Sequence, residues 1–320
     1  MRVVALVMAA ILMVASAVSA DAQQWPDKPI RLVIPYSAGG GNDVIARPVA
    51  IRLSERLGQS VVVENKPGAQ ALIGMEYVAK SPADGYTLLV APSGPLTINP
   101  AIYSKLPYSP THDFQPISLM AEFPLVLAVS SKQPFQSVKA LVEFAKANPD
   151  KANYGASASP FQLAGELFNQ KAGTRFVHIP YKGSGDTANA VANGDVTMTL
   201  SDAGPIAGLI QAGRLRALAV TSAMQHPAFP GVPTLIEQGF PDLEITLFSG
   251  IVAPAGTPAA IVTRLQKEIA EIVLLPEIKD RLAALGITSL SSTPQAYSER
   301  IARDIARWTA VAKAANIKAD

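Results

Sequence analysis

The 320-residue chain has no cysteine, 3 histidines, 6% aromatic residues and 16% charged residues. With no cysteine there is no disulfide framework, no thiolate nucleophile and no cysteine metal site, so the fold must be held by its core. Lys and Arg together number 27 against 25 Asp and Glu, a formal net charge of +2. No long Lys/Arg run accompanies that balance, which argues against nucleic acid as a partner.

The motifs of common chemistries are missing as well. A phosphate loop needs G-x-x-x-x-G-K-[ST], and the glycine run "SAGGGND" (37–43) has no lysine or hydroxyl where that motif requires them. A dinucleotide loop needs G-x-G-x-x-G, which the same run does not supply. No H-E-x-x-H or acid/histidine cluster offers a metal site, and His112, His178 and His226 lie far apart. The G-x-S-x-G nucleophile elbow is absent: "YGASAS" around Ser157 lacks the second glycine, and "KGSGD" around Ser184 has the wrong spacing. No catalytic residue, cofactor or metal is therefore expected, and the chain reads as a binder rather than an enzyme. A triad can still assemble from distant segments, so an exported hydrolase of a small ester or amide stays open as an alternative.

What is present begins with a leader. Arg2 is followed by an apolar run from Val3 to Val18 and then by small residues. That order of charged, apolar and small-residue regions is that of a secretory signal peptide, expected to span 1–22 with cleavage after Ala22, or after Ala20 as second choice. The apolar run falls short of the ~18–20 residues a membrane span needs. The mature protein is expected in the periplasm.

Beyond it the chain alternates strand and helix patterns. The runs at 30–35, 60–65 and 86–91 are strand-length and bounded by turn residues, with helical spacing at 42–57 and 71–79 between them. This βαβαβ order implies a mostly parallel sheet flanked by helices. Pro48 falls inside the first helical pattern and should bend it or shift its start. The middle region repeats the alternation, with strands at 124–131, 153–155, 176–181, 196–200 and 216–221. Between these, helices are expected at 137–147, 161–172, 187–193 and 206–212. After a strand at 245–254, two helices are expected to open on Thr257-Pro258 and Thr293-Pro294, a cap followed by proline. The last shows Tyr297, Ile301, Ile305, Trp308 and Ala312 on one face. The segments "FPLVLAVSS" and "ITLFSGIVAP" are candidate strands crossing between two lobes. Lobe 1 is then 23–123 with 250–320, lobe 2 is 124–249, and the hinge lies near 122–128 and 246–252.

Several βα loops are rich in Gly, Ser and other small residues. In the first, Gly39, Gly40 and Gly41 let the backbone approach a ligand, and the helix that follows offers unpaired N–H groups, with Asn42 or Asp43 as its possible cap. Others follow at 64–74, 91–100, 154–162, 181–186 and 201–205. Hydroxyls and backbone N–H groups with no evident nucleophile suit binding of an anion better than turnover.

Taken together, "WPDKPIRLVIPYSAGGGNDVIAR", "LGQSVVVENKPGA", "SPADGYTLLVA", "INPAIYSKLPYSPTHDF", "NYGASASPFQLAGELF", "HIPYKGSGDT", "AGRLRALAVTS" and "GIVAPAGTPAAIV" resemble the Bug-type extracytoplasmic receptors of tripartite tricarboxylate transporters. The resemblance runs through nearly the whole chain after the leader. It implies an α/β periplasmic binding protein fold of two hinged lobes, monomeric, closing over a small aliphatic or aromatic carboxylate. The partners it implies are the membrane permease subunits of such a transporter; a receptor feeding a sensor kinase is an alternative. Carried onto this chain, it assigns ligand contacts to Tyr36, Ser37, Ala38, Gly39 and Gly40, and facing contacts to Ser157, Ala158, Ser159 and Gln162. Ser93 and Gly94 should flank the ligand, Ser201 and Asp202 should lie on its far side, and Phe248 near the hinge. Gln162 stands where the family often has histidine and Tyr36 where it has phenylalanine, while Asp202 is an acid unusual for the family.

Overall fold

The computed structural model describes residues 25–319; the expected leader lies outside them. Strand β1 (Ile30–Ile34) lies between β2 (Val61–Asn65) and β3 (Thr87–Pro92), parallel to both. Helix α1 (Gly41–Leu57) joins β1 to β2, and α2 (Leu72–Ala79), entered through a short 3-10 turn, joins β2 to β3. Ile30, Leu32 and Ile34 belong to one buried cluster with the α1 residues Ile45 and Val49, whereas Val33 belongs to another with Met75 and Val78 of α2. The sheet is covered on both faces, which is why its strands read as near-continuous apolar runs. Pro48 sits within α1 without displacing its start, which is at Gly41.

A short helix α3 (Asn99–Ile102) precedes β4 (Phe114–Ser130), the longest strand at 17 residues. The sequence pattern locates only its second half, because Gln115, Pro116, Ser118, Glu122 and Pro124 interrupt the apolar run. Irregularities in the pairing at Pro116/Ser118 and Leu119/Ala121 absorb the interruption. From Phe114 to Pro124 the strand pairs antiparallel with β9 (Thr246–Pro254). From Leu125 on it pairs with β7 (Met198–Asp202) and β8 (Leu215–Val220). β4 therefore belongs to both parts of the sheet. Among the described residues β9 pairs only with β3 and β4, and its approach is fixed by the Ile245 N–H bonding the Thr221 carbonyl.

In the middle region β5 (Asn153–Ala156) runs parallel to β6 (Val177–Pro180) and β7. Helices α4 (Val138–Ala147), α5 (Ser159–Ala172), α6 (Ser184–Asn193) and α7 (Ala203–Gln211) flank these strands. Ser137 caps α4 by accepting the Ala140 N–H.

The C-terminal segment holds α8 (Ala259–Val273), α9 (Pro276–Ala283), the two-residue strand β10 (Thr288–Ser289) on the edge of β4, and α10 (Pro294–Ala315). The sequence pattern does not separate α9 and β10 from their surroundings. Thr293 caps α10 as expected, accepting the Ala296 N–H. Thr257 does not cap α8: Pro258 occupies the cap position, and the Thr257 hydroxyl donates to the Pro254 carbonyl at 2.8 Å. Along α10, Tyr297 and Ile301 join the core of β3 and β9, whereas Trp308, Val311 and Ala312 join the core of β5 and α5; Ile305 is half-buried. Among the described residues, no helix is long and apolar enough to cross a membrane.

Candidate functional site

The glycine loop leaves the end of β1 as an exposed arc, Ser37 to Gly41. Gly39 has φ +82°, a left-handed conformation that glycine adopts without the Cβ clash of other residues. α1 starts with Gly40 at the cap position, and no side chain caps it. Neither Asn42 nor Asp43 does what was expected of it. The Asn42 Oδ1 is buried with no hydrogen-bond partner. Asp43 instead reaches back over the loop, and its Oδ2 accepts the Gly39 N–H at 3.1 Å. Arg47 holds the same carboxylate through two bonds, 2.7 and 2.9 Å, and Asn65 donates to it at 3.1 Å and to the Tyr36 carbonyl at 2.9 Å. The hydrogen bond from Arg47, aided by Gly39 N–H and Asn65, outweighs burial and holds the Asp43 carboxyl at about 2. Asp43 is thus a neutralised brace, and the uncapped N–H groups of α1 are left as the positive feature of the loop.

Tyr36 packs against the cores on both faces of the first sheet, and burial pushes its phenol up to about 12, so the hydroxyl stays a neutral donor. A Cβ built on Gly94 would lie 3.5 Å from this hydroxyl and 3.9 Å from Pro160 Cγ. Gly94 therefore marks where the end of β3, Tyr36 and the start of α5 come together. Ser93 lies one residue earlier, but it is buried and its hydroxyl accepts the Phe248 N–H at 3.2 Å. Phe248 is buried too, edge-on to Tyr297 with ring centroids 5.7 Å apart. These two residues tie the end of β3 to β9.

In the middle region, Ser157, exposed Ala158 and Ser159 carry the chain from β5 into α5, whose cap residue Ala158 makes no side-chain cap bond. The Ser157 hydroxyl is 3.2 Å from that of Ser184, the first residue of α6, so two helix starts converge here. Ser184 and Gly183 are missing from the residues the resemblance assigned, although "KGSGD" after a strand is the same signal as the glycine loop. Gln162 is half-buried one turn into α5, and its carbonyl accepts the Tyr154 hydroxyl at 3.1 Å. The buried Ser201 donates to Asp202 Oδ1 at 3.0 Å. Asp202 is the cap residue of α7 but makes no cap bond. It lines a cavity of about 250 Å³ that also touches Gly41 and Phe123, linking the start of α7 to the start of α1.

Four helices, α1, α5, α6 and α7, thus begin at the C-terminal ends of strands β1, β5, β6 and β7 without a side-chain cap. Such strand ends are where open α/β sheets hold ligands, and uncapped helix starts favour anions. Among the described residues, no group of three or more His, Cys, Asp or Glu could hold a metal ion. His226 accepts the Ala228 N–H and meets Thr288, while the Nε2 of His178 is buried without a partner.

Comparison with known proteins adds the family. The sequence profile of the tripartite tricarboxylate transporter family receptor matches residues 45–317. The chain belongs to this family. BugT of Bordetella pertussis is 36% identical over 308 residues, covering 95% of this chain and 94% of that protein. Among solved structures, Rpa4515 of R. palustris with adipate is 36% identical with a TM-score of 0.78, covering 92% of this chain and 99% of the other. MatC from Rhodopseudomonas palustris with bound malate is 26% identical with a TM-score of 0.74, covering 90% and 99%. The fold is the α/β periplasmic binding protein fold, and the family is one of solute-binding receptors.

Proposed function

We propose that this receptor captures a small organic carboxylate between two lobes in the periplasm and passes it to the membrane permease of a tripartite tricarboxylate-type transporter. The lobes are residues 23–123 with 250–320, and 124–249. What supports this reading is the set of uncapped helix starts in both parts of the sheet, linked by the approach of Tyr36 and Pro160 at Gly94, the Ser157–Ser184 contact and the cavity shared by Gly41 and Asp202. One carboxylate lies at the glycine loop, facing Ser157 to Ser159. Charge-assisted hydrogen bonds from backbone N–H groups and hydroxyls offset its desolvation, and closure of the lobes removes it from water. The adipate and malate held by two relatives support an aliphatic acid as ligand.

The test is calorimetry of the mature protein against adipate, malate, citrate and benzoate, with mass spectrometry of the recovered ligand. Saturable binding of at least one acid, recovered unchanged, is the expected result. Substituting Gly39→Val should abolish binding while the protein stays folded. Open space surrounds a Cβ at Gly39, so the variant's cost is the left-handed backbone strain, about 1–2 kcal/mol. Undiminished affinity in that variant would remove the glycine loop from the site, and turnover of the ligand would favour the hydrolase reading.

A further inference from the structure

Helix α10 lies far from the ligand loops in sequence, yet it bonds β3, β4 and β9 and packs against α5. Tyr297 donates to the Ala91 carbonyl at 3.1 Å, two residues before Ser93. One turn later, Arg300 grips both strands at their junction. It forms an ion pair with Glu122 of β4. It donates to the carbonyl and hydroxyl of Thr246 in β9, at 3.2 and 2.8 Å. Its guanidinium lies 4.7 Å from the centre of the Phe248 ring. Glu122 and Phe248 are paired across β4 and β9, two residues before the Pro124–Leu125 point where β4 changes partners. Further along α10, Arg307 donates to the carbonyls of Glu244 and Asp242, and Trp308 packs into the core of β5 and α5. The helix is thus fastened to both parts of the molecule, with Arg300 between the two sets of fastenings.

We infer that Arg300 is a positioning residue for ligand capture, fixing the angle at which the two jaws of the cleft face each other. Its route to the site is short: Arg300 covers Phe248, the Phe248 N–H holds Ser93, and Ser93 precedes Gly94, where Tyr36 and Pro160 meet. A planar fork of donors is needed to reach a carboxylate, a carbonyl and a hydroxyl while lying on a ring; a lysine ammonium satisfies only part of that set. Glu122 and Thr246 lie on paired strands beside the point where β4 changes partners, so removing a side chain that bonds both should loosen that point and widen the range of lobe orientations. The inference rests on the two-lobed reading above.

The test uses electron–electron distance measurements between spin labels at Pro67→Cys and Lys182→Cys, both exposed positions. With no native cysteine, labelling is confined to these two sites. In the ligand-free protein, Arg300→Gln should broaden the distance distribution and move its centre by several ångströms, Arg300→Lys should do so less, and affinity for adipate should fall about fivefold or more in Arg300→Gln. Thr246→Val removes one acceptor only and should give a smaller change in the same sense, which keeps the test available if Arg300→Gln folds poorly. An unchanged distribution in both Arg300→Gln and Thr246→Val, with only the melting temperature lowered, would overturn the inference. A distribution that widens in Arg300→Gln while wild type binds none of the acids would support the inference and count against the carboxylate reading alone.

Discussion

Asp43 shows how much of the site depends on single contacts that no motif announces. Its carboxylate accepts the Gly39 N–H, and Arg47 and Asn65 hold it from the other side. The glycine run was legible from its composition, but its brace was not: Asn65 is 22 residues away and reaches Asp43 only because β2 lies beside β1. Ser93 reads as part of a loop, but it opens the helical turn Gly94–Ile98, and its hydroxyl accepts from Phe248 of β9, 155 residues away. Asp43→Asn should lower stability by about 1–3 kcal/mol, because a charged acceptor is lost from partners that stay in place. The Asp43 carboxyl is held at about 2 against an ordinary 3.8, so its contribution is complete above about pH 4 and disappears as pH falls towards 2. Urea unfolding of wild type and variant across that range should show two curves that are separate at neutral pH and converge in acid. A constant gap would mean that the carboxylate charge is not what stabilises the loop.

At the scale of elements, caps and apolar periodicity made most helices and short strands readable, because each depends on neighbours in sequence. β4 was only half readable, because its first half carries Gln115, Ser118 and Glu122 among buried residues, its strand form being held by pairing with the distant β9. The two Thr-Pro pairs look alike in sequence, yet only Thr293 acts as a cap, since Thr257 turns its hydroxyl to Pro254. Thr293→Ala should cost about 1 kcal/mol and speed amide exchange at Ala296. Thr257→Ala should leave exchange at Ile261 and Val262 unchanged, because those N–H groups bond the Pro258 carbonyl. Equal protection changes at the two helix starts would show that both threonines cap in solution.

At the scale of the whole molecule, the alternation of strands and helices pointed to an α/β fold. The role of α10 was not legible. Its apolar face says that it packs, but not that Tyr297 and Trp308 pack into different cores. The central claim is that one carboxylate lies between the glycine loop and the start of α5. Backbone NMR of the labelled mature protein tests it most directly, titrated with whichever acid of the panel binds tightest. The amides of Gly39, Gly40, Ser157, Ala158 and Ser159 should shift together and saturate at a common concentration. Shifts confined instead to the roughly 470 Å³ cavity lined by Met224, His226 and Thr288 would contradict it.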